Sequence, residues 1–511
     1  VLFNDNKTRV LVPIRPNTPT LKQVNSAVAA FVQQELGVLL ETPDRSSEHE
    51  RKSLAIHTAI AEGRRAQYVP ADSLSMVVDS FIERLNQVSS TILRYEITDE
   101  RWEELKRSLK MEASPGYPYI AGTIKEALDT SEAKVRVDLE HRLKAIDEWT
   151  AKGCPAMSKA DAISQNLCDP VRIMIKNEPH SAQKIKEGRR RIIQATSLLD
   201  QLVERVLVAD MHAVEQERFV DLRLCIGMSH EDYDVRLIAL DYEKGAAGTD
   251  LRGNDWGQHP HFGVEVYPRV QQKLHNLTSR HTELLRALEI LREDYTLSVL
   301  SDGVVADTDI DQVVSPAARL GIHKTGRYET SRRNCWFRKF MDFYALSKAS
   351  GTWVPSGSAY DPWVMGDDCF GHVPTDLRDA YKAACRDLGG DLKCFDTEFC
   401  GLEFYKSSFG TVTWRNTKTS QAKALVRHSF LVGSDREVES RQSLLREYRH
   451  TVTFAPLLAW VKALVTGTAN VPLLAPKLET VEPAKDPVSD EAPPAESTKP
   501  KRRKKRTGEG R

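Results

Sequence analysis

The chain has 511 residues, 72 of them Lys or Arg and 72 Asp or Glu, so its formal net charge is zero and bulk charge singles out no polyanionic or polycationic partner. The length exceeds one ordinary core, and 41% hydrophobic residues are enough to bury a sizeable one, which excludes a wholly disordered chain and favours one multi-lobed body. The eight cysteines contain no CxxC pair and no histidine at zinc-finger spacing, which speaks against the common zinc modules and fits reduced thiols in a cytosolic compartment.

No signal peptide opens the chain, and Val1 in place of Met reads as an N-terminus made by cleavage or fusion. Leu74, Val77, Val78, Phe81, Leu85 and Val88 recur at helical spacing after a cap at Asp72 or Ser73, and Leu139, Leu143, Ile146 and Trp149 repeat the pattern. Arg205 to Phe219 and Val270 to Leu291 also read as helices. The short runs Leu297 to Leu300, Trp363 to Met365 and Gly410 to Trp414 read as strands. The fold class is therefore α+β, with strands concentrated after residue 240 and no internal repeat. The apolar stretch from Phe454 to Leu474 is interrupted by Pro456, Lys462 and Pro472, so it predicts a buried helix followed by a loop and not a transmembrane segment. Beyond Pro476 the composition turns to Pro, Glu, Asp, Ser and Lys, too polar to fold alone. This disordered tail ends in six consecutive basic residues, Lys501 to Arg506, suited to RNA phosphates, to nuclear import, or simply to solvation.

Met365-Gly-Asp-Asp-Cys369 sets two adjacent carboxylates between two apolar runs, as the tip of a tight hairpin would. Hard oxygen ligands of this kind suit Mg²⁺, and two such ions about 3.5–4 Å apart stabilise the attacking and leaving oxygens of a phosphoryl displacement. A surface turn has the same local sequence, so the tripeptide needs support. A second acidic pair, Asp250 and Asp255 in Thr249-Asp-Leu-Arg-Gly-Asn-Asp-Trp256, supplies it, since a metal site built across distant segments needs a ligand from elsewhere in the chain. Lys324-Thr-Gly-Arg-Tyr-Glu-Thr-Ser-Arg-Arg-Asn334 lies between them. Its Thr325-Gly326 pair is followed by Thr330 and Asn334, which four-residue spacing would set on one face of a helix.

These segments resemble motifs A, B and C of viral RNA-dependent RNA polymerases, with Thr325 where Ser is usual and Arg252 where a small hydroxyl is usual. Lys176-Asn-Glu-Pro-His to Arg191-Ile-Ile193 is similar to motif F, in which Lys176, Lys184, Arg189 and Arg191 match the cations that cradle the triphosphate. Ser114-Pro-Gly-Tyr-Pro-Tyr119 resembles motif G, so Ser114, Gly116 and Tyr117 are expected along the template. Phe399-Cys-Gly-Leu-Glu-Phe404 resembles motif E, with Cys400 beside the primer. Lys393 is the candidate motif D general acid, with Arg386 and Lys406 as competitors. The order G, F, A, B, C, D, E spans Ser114 to Phe404, and the detail is most similar to the sobemovirus, barnavirus and luteovirus group of positive-strand RNA viruses.

The resemblance implies a right-hand polymerase fold with an antiparallel palm sheet. Fingers would comprise residues 1–240 and an insertion at 261–318, the palm 241–260 and 319–404, and the thumb 405–475, followed by the basic tail. It implies Asp250, Asp367 and Asp368 as ligands of Mg²⁺, with Mn²⁺ as a substitute. Asp255, Thr325, Gly326, Thr330 and Asn334 would serve ribose selection. Expected partners are template and nascent RNA, nucleoside triphosphates, and other replicase proteins or a protein primer, at replication complexes in the host cytoplasm. A reverse transcriptase would share the metal acids but exclude the 2′-hydroxyl. An inactive RNA-binding scaffold would show damage to those acids.

Overall fold

The computed structural model describes residues 23–119, 122–228, 232–307, 309–315, 321–353, 361–448, 454–468 and 477. The basic run at 501–506 and the rest of the polar tail lie outside the described residues. The chain is α+β, as its patterning predicts, with antiparallel pairing in each of its sheets.

The largest core is helical. Thr123 opens the long helix Ile124–Ala151 with a capping box: its hydroxyl accepts the Glu126 N–H at 3.1 Å and the Glu126 carboxylate accepts the Thr123 N–H at 3.3 Å. Leu139, Leu143, Ile146 and Trp149 are all buried on the face the spacing indicates. They pack with the helices Leu198–Glu217 and Ser279–Ile290 in one hydrophobic cluster. Two expected helices differ in extent. Asp72 and Ser73 lie inside a 3₁₀ turn, Ala71–Leu74, and do not cap; the α-helix runs only over Ser75–Glu83. The single helix expected from Val270 to Leu291 is two, Tyr267–His275 and Ser279–Ile290. The break falls where Asn276 adopts a left-handed conformation, φ 48°, and Thr278 caps the next helix by accepting the His281 N–H.

At the centre lies Thr330–Ser350, in which every residue from Arg332 to Ser347 is buried. Burial on all sides erases amphipathic periodicity, because neighbours cover each face. One neighbour is a four-stranded antiparallel sheet in the order Trp363–Met365, Asp368–Gly371, Ala247–Leu251, Leu392–Asp396. Trp363–Met365 is the strand the sequence predicts, and Gly410 to Trp414 shifts to Val412–Asn416. A second sheet orders Ile192–Ala195, Val171–Ile175 and Ser298–Val299, the last pair parallel. Among the described residues most strands follow residue 240, as the sequence predicts, and four short ones precede it.

The helix Ser26–Leu36 shares a core with Lys418–Leu431 and Phe454–Thr466. The N-terminal segment thus belongs structurally with the C-terminal helices. Phe454–Thr466 buries Leu457, Trp460 and Val461, as a packed helix should, and among the described residues no helix is long and apolar enough to cross a membrane.

Candidate active site

The hairpin Trp363–Met365 to Asp368–Gly371 turns at Gly366-Asp367, with Gly366 at φ +63°, a conformation that a side chain disfavours. Asp250 stands on the adjacent strand, one residue beyond Thr249, which pairs with Cys369. The register brings carboxylate oxygens of Asp250, Asp367 and Asp368 within 4.8 Å of one another, the one such cluster among the described residues. Burial pushes Asp367 above the usual carboxylate range, and burial together with the Asp367 charge pushes Asp368 up to about 7. Cations and backbone N–H groups oppose this: Arg191, Arg338 and Lys184 attract the Asp367 carboxylate, and the Cys400 N–H, with Arg338, does the same at Asp368. Arg338 is itself buried and donates to the Thr249 hydroxyl at 2.5 Å. Lys393 donates from Nζ to the Asp250 carboxylate, whereas Arg386 lines a neighbouring cavity together with Gly389 and Gly390.

Beside these acids, Asn334 Nδ2 donates to Asp255 Oδ1 at 2.7 Å. Burial, followed by the Asp367 charge, raises Asp255 to about 6. The other expected members of this group are arranged differently. The Thr330 hydroxyl donates to the Arg327 carbonyl at 2.9 Å, turned back toward its own loop, because Thr330 is the first residue of the helix. Thr325 joins the neighbouring strand, accepting from Gln194 N at 3.3 Å and donating to the Ile192 carbonyl at 3.4 Å. Gly326 lies so close to that strand that a Cβ would stand 2.2 Å from the Gln194 carbonyl oxygen. Gly326→Ala is accordingly expected to cost about 1–3 kcal/mol by overpacking, read as a lower urea midpoint with an unchanged slope.

The basic segment surrounds the entrance. Lys176 and Arg191 both pair with Glu178, at 3.0 and 2.6 Å, and Arg189 pairs with Glu187 at 2.9 Å. Lys184 is depressed to about 8 by burial and by Arg191, Arg189, Lys393 and Lys423. A cavity of about 780 Å³ adjoins, lined by Arg64, Arg189, Arg252 and Arg386 among others.

A family profile described as viral RNA-directed RNA-polymerase matches residues 84–217. The replicase polyprotein P2AB of cocksfoot mottle virus is 35% identical over 334 residues, 60% of this chain and 32% of that protein. The corresponding polyprotein of southern bean mosaic virus is 28% identical over 317 residues, 60% of this chain and 31% of that protein. The RNA-directed RNA polymerase of mushroom bacilliform virus is 28% identical over 221 residues, 42% of this chain and 50% of that protein. Over these stretches the chain is similar to viral RNA-directed RNA polymerases. It spans about a third of the two polyproteins and half of the mushroom virus polymerase.

Two of the motif residues expected to meet RNA are placed otherwise. The Tyr117 ring is 1% exposed, packed in a cluster with Leu297, Val299, Val305 and Ile310, so it supports the core and does not line a surface open to a template. Gly116, at φ +67°, lies against the start of Leu198–Glu217, where a Cβ would stand 2.4 Å from the Thr196 carbonyl oxygen. Ser114 is half-buried at the same turn. Cys400 contributes its N–H to Asp368, and burial holds its thiol well above the ordinary range.

Several groups escaped the sequence reading. Arg64, on the helix Ser47–Arg65, donates to the Gly253 carbonyl at 2.7 Å and to the Arg252 carbonyl, bracing the loop between Asp250 and Asp255. His57 of that helix stacks on Trp256 with ring centroids 4.7 Å apart. Lys423, on Lys418–Leu431, is depressed by burial and by Arg191, and so faces the cationic entrance. Nothing local distinguishes these cations from surface ones. Arg338 does not stand out either, since its helix also carries Arg332, Arg333, Lys339, Asp342 and Lys348.

Proposed function

We propose that this chain is the RNA-directed RNA polymerase of a positive-strand RNA virus, adding nucleoside triphosphates to the 3′ end of a growing RNA. The observation that carries the proposal is the convergence of Asp250, Asp367 and Asp368 within 4.8 Å, next to the Asp255–Asn334 pair. The donor set fits Mg²⁺, or Mn²⁺ in its place: three carboxylates offer hard oxygens within 4.8 Å of one another, and Asp367 and Asp368 are buried acids side by side, a pair that a divalent cation would stabilise in the charged form. When bound, the metal ions stabilise charge on the attacking 3′-oxygen and on the departing pyrophosphate.

The residues of the chain supply the remaining functions. Lys184 orients the triphosphate together with Arg189, Arg191 and Lys176, the last three exchanging their carboxylate partners for phosphate oxygens. Asp255 accepts a hydrogen bond from the ribose 2′-hydroxyl, an interaction that rewards ribose over deoxyribose. Lys393, already at the Asp250 carboxylate, holds the proton that its Nζ delivers to pyrophosphate. The four-stranded sheet is the palm of a right hand, the helices of residues 41–240 with the 261–318 segment its fingers, and the helices from 418 to 466 its thumb, joined by the N-terminal helix. RNA is the template and product. Other replicase proteins or a protein primer are further partners, at replication complexes in the host cytoplasm.

Purified protein with Mg²⁺, a labelled RNA primer and an RNA template tests this. Extension with ribonucleotides supports it. Extension with deoxynucleotides alone would identify a reverse transcriptase, and RNA binding without extension would favour a scaffold.

Lys184 gives the reaction a pH signature. Its ammonium, depressed to about 8, loses its proton as pH rises from about 7 to about 9, while phosphate binds the charged form. The KM for nucleoside triphosphate is expected to rise over that interval, and Lys184→Arg is expected to flatten the rise in a steady-state pH series.

A further inference from the structure

Gln258 follows Asp255 by three residues and is 1% exposed. Its main chain is held on both sides: its N–H donates to the Gly321 carbonyl at 3.1 Å, and its carbonyl accepts the Tyr68 hydroxyl at 3.1 Å. Its side chain occupies the middle of a buried series of hydrogen bonds. Arg333 Nη1 donates to Gln258 Oε1 at 2.5 Å, Gln258 Nε2 donates to Asn334 Oδ1 at 2.7 Å, and Asn334 Nδ2 donates to Asp255 Oδ1 at 2.7 Å.

The direction of that series is dictated from its far end. A guanidinium can only donate, so the Gln258 oxygen must face Arg333 and its nitrogen must face Asn334. The same constraint passes to Asn334, whose oxygen is occupied and whose nitrogen must face Asp255. Arg333 cannot turn away, because Nε donates to Glu289 at 2.6 Å, Nη2 donates to Glu293, and the group lies over the Phe262 ring at 5.5 Å. An Asn or Gln amide alone is nearly symmetric in shape and would sample both orientations.

We infer that Gln258 is a positioning residue for sugar selection: it transmits the donor-only character of Arg333 to Asn334, which holds the Asp255 carboxylate ready for a 2′-hydroxyl. The inference rests on the polymerase reading above and adds to it a residue outside every motif. Gln258→Glu is the sharp test, because it preserves shape and the bond from Arg333 but removes the donor. Asn334 must then turn its nitrogen to the introduced carboxylate and its oxygen to Asp255, so the two oxygens oppose one another and the Asp255 carboxylate loses its anchor.

The measurement is kcat/KM for single addition of ATP and of 2′-deoxyATP opposite a template uridine, for the full chain. The preference for ATP is expected to fall about tenfold or more in Gln258→Glu, the scale of one hydrogen bond to a charged group, with the loss falling on ATP. Adding Asp255→Asn should restore part of that preference, since the new amide donates to the reversed Asn334 and presents its own oxygen to the sugar. Gln258→Met, which keeps length without imposing direction, is expected to lose less than Gln258→Glu and provides a second variant if the buried acid lowers the yield of folded protein. An unchanged preference in both folded variants overturns the inference and leaves the polymerase proposal standing. An equal loss for both nucleotides also overturns it, since that is the mark of a general packing role. A wild-type chain that extends no RNA primer with ATP overturns the polymerase proposal, and this inference with it.

Discussion

Asp367→Asn is expected to lower RNA primer extension by more than about a hundredfold while leaving the protein as stable as, or more stable than, the parent. The lower bound follows from metal sites generally, where losing a group that merely orients a ligand costs about 10–100-fold, and Asp367 is itself a candidate ligand. The stability half follows from the electrostatics. Asp367 stands within 4.8 Å of Asp250 and Asp368, burial already raises its proton affinity, and its charge is the second cause that lifts Asp368 to about 7. Neutralising it relieves repulsion between like charges, and the Gly366 turn that carries it is untouched. Extension assays and urea unfolding of the same preparation check both halves. A folded Asp367→Asn protein that retains a tenth of parental extension would defeat the metal-ligand assignment.

Arg327→Met is expected to have the largest effect on stability, about 3–5 kcal/mol, the cost of removing one partner from a buried ion pair. Arg327 donates from Nε to Glu204 at 3.0 Å and from Nη2 to Glu289 at 2.5 Å, and all three side chains are fully buried or nearly so. Glu204 also accepts from Arg292 at 3.0 Å and from the Tyr328 N–H at 2.8 Å, while Glu289 accepts from Arg333 at 2.6 Å. The remaining partners place the loss toward the lower part of that range. Because Tyr328 and Arg327 belong to the loop that leads into Thr330–Ser350, the same change should loosen Gly326 against its strand. A lower urea midpoint, partly recovered by adding Glu289→Gln, is the expected result.

The sequence carried the acidic site because its signals are local. Gly366 followed by two acids marks a turn, the flanking runs mark two short strands, and Asp250 announces itself as a second acid at long range. Trp363–Met365 folds as read. Helix boundaries near residue 276 were not legible, since a left-handed Asn and a capping Thr inside an apolar pattern resemble ordinary polar-face residues. For Tyr117 and Thr330 the motifs predict outward roles, but motif spacing reports position along the chain and not the direction of a side chain. One ring turns into the core, and one hydroxyl turns back to its own loop. Gln258, Arg333 and Arg64 were missed for a related reason: a buried polar residue whose partners lie far away in sequence has no pattern around it. Their partners lie 75, 40 and 189 positions away in the cases of Arg333 to Gln258, Arg333 to Glu293 and Arg64 to Gly253.

The placement of Ala247–Leu251 in the middle of its sheet also fixes when the site comes into being during synthesis. One neighbour of this strand, Asp368–Gly371, emerges more than a hundred residues later, and the other, Leu392–Asp396, later still. A ribosome that has released Asp250 has made an acid on an unpaired strand, with a long loop to close before any hydrogen bond rewards it. The helical core around Ile124–Ala151 and Leu198–Glu217 has by then all of its segments but the 277–295 portion. Helical scaffold first and acidic centre last is the vectorial order this topology imposes, and a nascent chain halted before residue 396 would hold a folded shoulder without a working heart.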